Sequence, residues 1–504
     1  MTEVTIASFN VKNLIGPDKE YYRFQTYTPE EYAWKEGWLA DQIVTMNADV
    51  IGFQEIFEEE ALRDTIARAD ELGAQSNNAA LPDNDKRYRK KAIFQHLAYH
   101  DYRDASLAFA PNMHDGGPGS RRPGVAILSR LGFVEEPEII QALDAPMKIP
   151  FQTFGDEAGG HYTIHKLSRP ILKVRVPIGG HVTTVFNCHL KSKLGEYIRV
   201  EGAEFAPESD LTDYDPVGRA LGAARSAMRR MAEAWVLRGA IIAELRQGRP
   251  VIVLGDFNDH ENAVSSEIIS GEVPFKNYEW MLRHDAQSPR DRYSAEEAAQ
   301  ITESIESVRL HSAEKMFVRK SLRDMVYTSA FGGVFESIDQ ILLSRHFTPD
   351  WRGAIGQMSY FSVLNDHENA VSSEIISGEV PFKNYEWMLR HDAQSPRDRY
   401  SAQEAAQITE NIESVRLHSA EKMFVRKSLR DMVYTSAFGG VFESIDQILL
   451  SRHFTPDWRG AIGQMSYFSV LNDHLTDGSH PEAPYNKLAS DHGQIMATIE
   501  IKEE

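Results

Sequence analysis

Val251-Ile252-Val253-Leu254-Gly255-Asp256-Phe257-Asn258-Asp259 joins four apolar, mostly β-branched residues to a glycine and a polar tail. So short a continuous apolar run reads as a strand buried on both faces. The pattern of an apolar strand with polar residues at its end recurs along the chain. Thr5 to Phe9 reads as a strand and delivers Asn10; Asp49 to Ile56 carries Gln54-Glu55; Gly124 to Leu128 is a short apolar strand. Ile171 to Val176 and Val182 to His189 alternate on either side of Gly179-Gly180, a hairpin signal. Ser337 to Leu343 contains Asp339, and the last strand, Gln494 to Ile501, follows Ser490-Asp491-His492. Helices are predicted between them. Thr28-Pro29-Glu30-Glu31 has the form of a capping box opening a helix to about Met46. Glu59 to Leu72 and Arg219 to Arg246 are the other helical stretches. Strands mixed with helices and at least one hairpin predict a layered sandwich.

Composition narrows the class. The chain has 504 residues, of which 42% are hydrophobic and 25% charged, close to the globular average. No apolar run approaches the ~18 residues of a membrane helix. The opening Met1-Thr2-Glu3-Val4 has neither a basic nor an apolar leader, so a cytoplasmic protein without a secretory signal is expected. A single cysteine, Cys188, excludes an internal disulfide and any multi-cysteine metal site, and reads as strand core. The net charge of −20 argues against strong non-specific binding to nucleic acid, yet suits an enzyme whose carboxylates hold a cation.

Length alone would suggest about three domains, but part of the length is repetition. Asn258 to Leu364 recurs as Asn365 to Leu471, with only Glu296/Gln403 and Ser304/Asn411 differing. Two long copies do not make a solenoid, whose units run to about 20–50 residues in at least three copies. The expected organisation is one domain from 1–364 plus 472–504, with 365–471 as an inserted duplicate. The first copy leaves the Gly-Asp-Phe-Asn strand directly, and the polar stretch Asn472 to Ala489 reads as a tolerant loop. A hybrid using parts of both copies is the geometric alternative.

A carboxylate or histidine at one strand end is more often a cap or turn residue than a ligand. Here several amides, acids and histidines converge, as a hard cation and a phosphate require. Ser-Phe-Asn-Val-Lys-Asn-Leu, Gly-Phe-Gln-Glu, Gly-Val-Ala-Ile-Leu-Ser-Arg, Asn-Cys-His-Leu-Lys-Ser-Lys, Gly-Asp-Phe-Asn-Asp, Ser-Ile-Asp-Gln-Ile-Leu and Ser-Asp-His follow one another in that order. This series resembles the endonuclease/exonuclease/phosphatase superfamily, which implies an α+β, four-layer α/β/β/α sandwich of the DNase I type. The resemblance implies a metal site at Glu55, with Asp491 and Asn10 contributing. It implies that Asp256 orients or deprotonates the attacking water. Asn258, His189 and Asn10 would contact phosphate oxygens. His492 would bond the phosphate or transfer a proton, oriented by Asp339, for which Asp446 is the second-copy candidate. The implied cofactor is Mg²⁺, with Mn²⁺ as a substitute.

The expected activity is phosphodiester hydrolysis, most readily of a weakly bound nucleic acid, with a small or lipid phosphoester as the alternative. No obligate protein partner is inferred. The start differs from the Trp-Asn-Val-Asn-Gly form of abasic-site nucleases, Ser-Ile rather than Arg-Ile precedes Asp339, and no Trp-Cys-Asp-Arg run of inositol polyphosphate phosphatases occurs. Other features have plainer readings. Lys86 to Lys91 is a basic run that suits a solvated loop, and Tyr278 and Trp280 suit helix packing. His161 and His165 lie in a strand-like stretch rather than a zinc helix. The glycine-rich Gly116 to Ser120, followed by Arg121 and Arg122, would suit a phosphate clamp or a mobile turn.

Overall fold

The computed structural model describes residues 4–22, 25–78, 98–113, 116–150, 161–196, 216–260, 263–271, 294–313, 338–348 and 351–358. Seven short segments are also described: 329–331, 334–336, 417–419, 436–438, 441–443, 449–451, 463–471, with 494–501 at the end. Lys86 to Lys91, Tyr278, Trp280, Asp446, Asp491 and His492 lie outside the described residues.

The elements in chain order begin with β1 (Ile6–Leu14), α1 (Pro29–Met46), β2 (Val50–Ile56), α2 (Glu59–Asn78), β3 (Ser106–Ala110) and β4 (Gly124–Ser129). Next come β5 (Glu138–Pro150), β6 (His161–Ile178), β7 (His181–His189), α3 (Pro216–Leu245), β8 (Val251–Asp256), α4 (Val264–Ser270) and α5 (Ala295–Glu306). The first copy continues with β9 (Leu310–Ser312), β10 (Ser329–Phe331), β11 (Val334–Glu336) and β12 (Asp339–Ser344). The second copy supplies β13 (Leu417–Ser419), β14 (Ser436–Phe438), β15 (Val441–Glu443), β16 (Leu449–Ser451) and β17 (Gly463–Leu471), and β18 (Gln494–Ile501) is last.

Two sheets build the core, one ordered β1-β2-β4-β3 and the other β5-β6-β7-β8-β12-β9. The period of two along each central strand explains why both faces are apolar. Val251 and Val253 of β8 face α3, where Leu237 and Ile241 meet them; Ile252 and Leu254 face the other sheet. In β2, Ile51 and Phe53 pack on Leu39 and Ile43 of α1 and Leu62 of α2, while Val50 turns inward. The layers are therefore helix, sheet, sheet, helix, the four-layer α+β sandwich that the sequence predicts. Burying each such Val, Leu, Ile or Phe side chain contributes roughly 1.5–3 kcal/mol.

Local signals set the helix ends. Thr28 accepts from the Glu31 backbone and Glu31 returns a bond to Thr28, completing the capping box, and α1 stops at Asn47 in the left-handed conformation. The structure extends two readings: α2 runs to Asn78 and β6 begins at His161. His161 and His165 are in that strand, and Cys188 is fully buried.

The repeat behaves differently in its two copies. In the first, β12 pairs with β9, Ser344 opposite Leu310, and also with β8, Asp339 opposite Asp256. In the second, β16 pairs with β13 in the same register, Ser451 opposite Leu417. The C-terminal strand β18 pairs antiparallel with β17, a strand of the second copy.

Candidate active site

The sheet registers bring Asn10, Gln54, His189, Asp256 and Asp339 to one end of the sandwich. Asn10 is opposite Gln54, where the register of β1 with β2 shifts before Leu14 pairs with Ile56. His189 is opposite Asp256, and Asp256 is opposite Asp339. Glu55 lies where the pairing of β2 with β4 skips a residue, between Gln54 opposite Val125 and Ile56 opposite Gly124. It has φ 64°, the left-handed region. Such a conformation in a non-glycine residue costs roughly 1–3 kcal/mol and is retained where its surroundings hold it. The bulge turns the carboxylate out of the alternation.

Asp256 is the centre of the group. Its carboxylate accepts from the Asn258 backbone at 2.8 Å and from Asn10 Nδ2 at 3.0 Å, and lies 3.3 Å from His189 Nε2. Asn10 Nδ2 also donates to Glu55 Oε1 at 3.3 Å, so one amide bridges two carboxylates. The Asn10 Oδ1 accepts from the Lys12 backbone, which fixes the orientation of the amide. Lys35 of α1 secures that turn by donating to the carbonyls of Val11 and Lys12.

Burial pushes the Asp256 carboxyl up to about 6, against the lowering bonds from Asn258 and Asn10. His189, 3% exposed, is driven well below the usual histidine range by burial and then by Arg169. Its buried Nδ1 has no hydrogen-bond partner among the described residues.

Asn258 has φ 52°, and its Nδ2 donates to the Leu190 carbonyl at 3.0 Å, tying the Asp256 turn to the strand that carries His189. Gly255 is required immediately before: at φ 145° a Cβ would meet the Cys188 carbonyl oxygen at 2.0 Å.

Several supporting residues had no clear sequence signal. Gln54 Nε2 donates to Asn187 Oδ1 at 2.7 Å, and Asn187 Nδ2 donates to the carbonyls of Phe53 and Ala126, so buried amides stitch the two sheets behind the site. On α3, Glu233 accepts from the backbones of Ser168 and Lys191, and Arg230 donates to Asp259. These residues look like the ordinary charged face of an amphipathic helix; only the fold turns them toward the loops of the site.

Among the described residues no group of three or more His, Cys, Asp or Glu side chains is placed to hold a metal. The oxygens of Glu55 and Asp256 nevertheless converge on a single amide, and an all-oxygen set suits a hard divalent cation.

The model of the Endonuclease/Exonuclease/phosphatase family matches residues 7–357. The chain belongs to this family. Its members hydrolyse phosphoester bonds, and this chain is such an enzyme. Endonuclease/exonuclease/phosphatase enzymes are generally dependent on a divalent metal. Among solved structures, the mannosyl-6-phosphatase Bt3783 of Bacteroides thetaiotaomicron VPI-5482 is 14% identical, covering 68% of this chain and 85% of its own, with a TM-score of 0.33. TDP2 of Caenorhabditis elegans is 13% identical over 68% of this chain and 63% of its own, with a TM-score of 0.30. The human Nocturnin catalytic domain with bound sulfate is 13% identical over 62% and 76%, with a TM-score of 0.26. No curated protein matches the chain in sequence.

Proposed function

We propose that this enzyme is a Mg²⁺-dependent phosphodiesterase acting on nucleic acid. The observation that carries the reading is the buried Asp256 carboxylate, held by Asn10, the Asn258 backbone and His189 beside the strained Glu55. Glu55 and Asn10 would hold the metal together with Asp491, and Mn²⁺ would substitute. When bound, the ion offsets the charge of the phosphate and stabilises the charge that develops on it.

Asp256 takes a proton from water as the water oxygen attacks phosphorus in line. The P–O bond to the leaving group breaks opposite the attack, and His492, oriented by Asp339, returns a proton to the departing oxygen. A carboxylate poised near neutrality suits this task. His189 and the amides of Asn10 and Asn258 would contact the phosphoryl oxygens without adding negative charge.

Net charge favours a second reading, a small phosphoester substrate, because −20 opposes a long polyanion. The test is hydrolysis of supercoiled plasmid, single-stranded DNA, RNA, bis-p-nitrophenyl phosphate and p-nitrophenyl phosphate, each with Mg²⁺ and with EDTA. Cleavage of the polynucleotides that EDTA abolishes is expected. Cleavage of the monoester alone would overturn the nuclease reading, and activity surviving both EDTA and His492→Ala would overturn the metal mechanism.

A further inference from the structure

Two arginines beside the site have no carboxylate within ion-pair distance among the described residues. Arg169 of β6 donates from one terminal nitrogen to the Leu190 carbonyl at 3.0 Å, next to His189, while its buried Nε has no hydrogen-bond partner among the described residues. Arg122 is exposed on the loop before β4 and makes no ion pair among the described residues. In a chain of net charge −20, arginines left without carboxylates beside a phosphoester site call for an anion.

Tyr22 forms a backbone bridge to Ser120, two residues before Arg122, and Asn112 ties the segments that carry the two arginines, its Nδ2 donating to the carbonyls of Pro123 at 3.2 Å and Ser168 at 2.9 Å. The Tyr22 ring packs edge-on against Phe57, with centroids 5.7 Å apart, and tilted on Tyr21 at 5.4 Å. Phe57 is two residues beyond Glu55, so the aromatic wall is fixed to the strand that carries the carboxylate. Two loops are zipped together to make it. The Arg121 backbone donates to the Tyr21 carbonyl at 3.0 Å, Arg121 Nε donates to the Glu20 carbonyl at 3.1 Å, and Gly119 donates to the same Glu20 carbonyl at 3.3 Å. Arg121 is thus spent on the backbone, and Arg122 is left facing outward.

We propose that Arg169, Tyr22 and Arg122 form an anion subsite beside the hydrolytic centre, with Arg169 on the reacting phosphate and Arg122 on a second phosphate. The inference rests on the phosphodiesterase reading and narrows its substrate to phosphoesters with a further anionic group. Arg169 is tied to the Leu190 carbonyl beside His189, whereas Arg122 stands on the separate loop that is zipped to Glu20 and Tyr21, so the two guanidiniums suit two anionic groups. The second phosphate belongs either to a polynucleotide backbone or to the free end of a small bisphosphate. Guanidinium forks match phosphate oxygens, and the Tyr22 phenol adds a donor.

Binding separates this subsite from catalysis. Inorganic phosphate titrated calorimetrically into the full chain in EDTA binds the wild type. It binds Arg169→Gln and Arg122→Gln at least fivefold more weakly, and Arg169→Lys nearer the wild type. Arg103→Gln, which loses only an exposed bridge to Asp101, binds as the wild type does. Competition by oligothymidylate stronger than by thymidine 3′,5′-bisphosphate assigns the second phosphate to a polynucleotide, and the reverse to a small molecule. In turnover, the wild type prefers pTpT over TpT in kcat/KM by at least fivefold, and Arg122→Gln erases the preference. Wild-type phosphate affinity in both glutamine variants, or an unchanged pTpT/TpT ratio in Arg122→Gln, overturns the subsite. Loss of phosphate binding as expected, with neither dinucleotide hydrolysed, overturns the phosphodiesterase reading and leaves the subsite standing.

Discussion

At the residue scale the site is a small set of side chains whose neighbours decide their chemistry. Asp256→Asn keeps the shape of the Asp256 side chain and removes the proton acceptor. It is expected to lower kcat by about 10²–10⁴-fold, the usual worth of a general base, with the fold retained by circular dichroism. Gly255→Ala is the opposite kind of change. Its Cβ would be driven to 2.0 Å from the Cys188 carbonyl, so the strand pair bearing His189 and Asp256 must part. Chemical denaturation is expected to show a loss of several kcal/mol, in the range of severe backbone strain. Asn10, Glu55, His189 and Asp256 were legible because each ends an apolar strand in a recognisable motif. Arg169 and Lys35 were not, because a lone arginine in a strand and a lone lysine on a helix carry no sign of the direction they take in the fold.

At the element scale, strands β6, β7 and α3 meet in a buried ion cluster far along the sheet from the site. Glu244, 2% exposed in its side chain, pairs with Lys173 at 2.8 Å, Arg175 at 3.2 Å and Arg249 at 2.8 Å, and accepts from Thr184 at 2.8 Å. Burial raises its pKa, but the bonds from Lys173, Arg249, Thr184 and Arg175 outweigh burial and lower it to about 2. The folded value lies below the ordinary 4.5, so this carboxylate stabilises the fold above about 4.5 and that contribution is lost as pH falls through about 2. In Glu244→Gln, the fall in stability across this window is expected to flatten. At neutral pH the variant should already lose about 1.5–3 kcal/mol, the worth of hydrogen bonds to a charged group, because Lys173 and Arg175 keep Glu138 and Glu135 as partners. Urea midpoints measured against pH check both. The repeat offers a second test at this scale. Asp339 is in register with Asp256 through β12, so Asp339→Ala is expected to abolish hydrolysis while Asp446→Ala leaves it intact. The reverse result would assign the site strand to the second copy.

For the whole molecule, the four layers account for the first sheet, the second sheet and the helices that cover them, and no helix among the described residues is long and apolar enough to cross a membrane. The repeat divides its service: β12 of the first copy joins the six-stranded sheet, and β17 of the second pairs with the C-terminal strand. Removing residues 365–471 yields the same chain as removing 258–364, apart from positions 296 and 304 and their counterparts. That shorter chain is expected to retain hydrolysis of the full-length substrate and to unfold at an equal or higher temperature, since one copy then serves both pairings. Calorimetry and the plasmid assay on both forms check this; an inactive shorter chain would mean that both copies are needed.

What the sequence by itself determined was the list of elements, the buried faces and the motif residues, because period-two apolar patterns, a capping box and strand-end polar residues are local properties. It favoured the first copy only through chain connectivity, since identical local sequence has identical propensity. Chain closure biases the choice weakly as well, at about 0.6 kcal/mol for each doubling of loop length. The decision is tertiary: β12 buries Leu342 and Leu343 in the cores on either side of the sheet and forms its backbone ladder with β8, which puts Asp339 beside Asp256. The same holds for the site. The sequence supplied its carboxylates and amides, but packing two sheets together decided that Asn10 would bridge Glu55 and Asp256, and that burial would push the Asp256 carboxyl up and the His189 imidazole down.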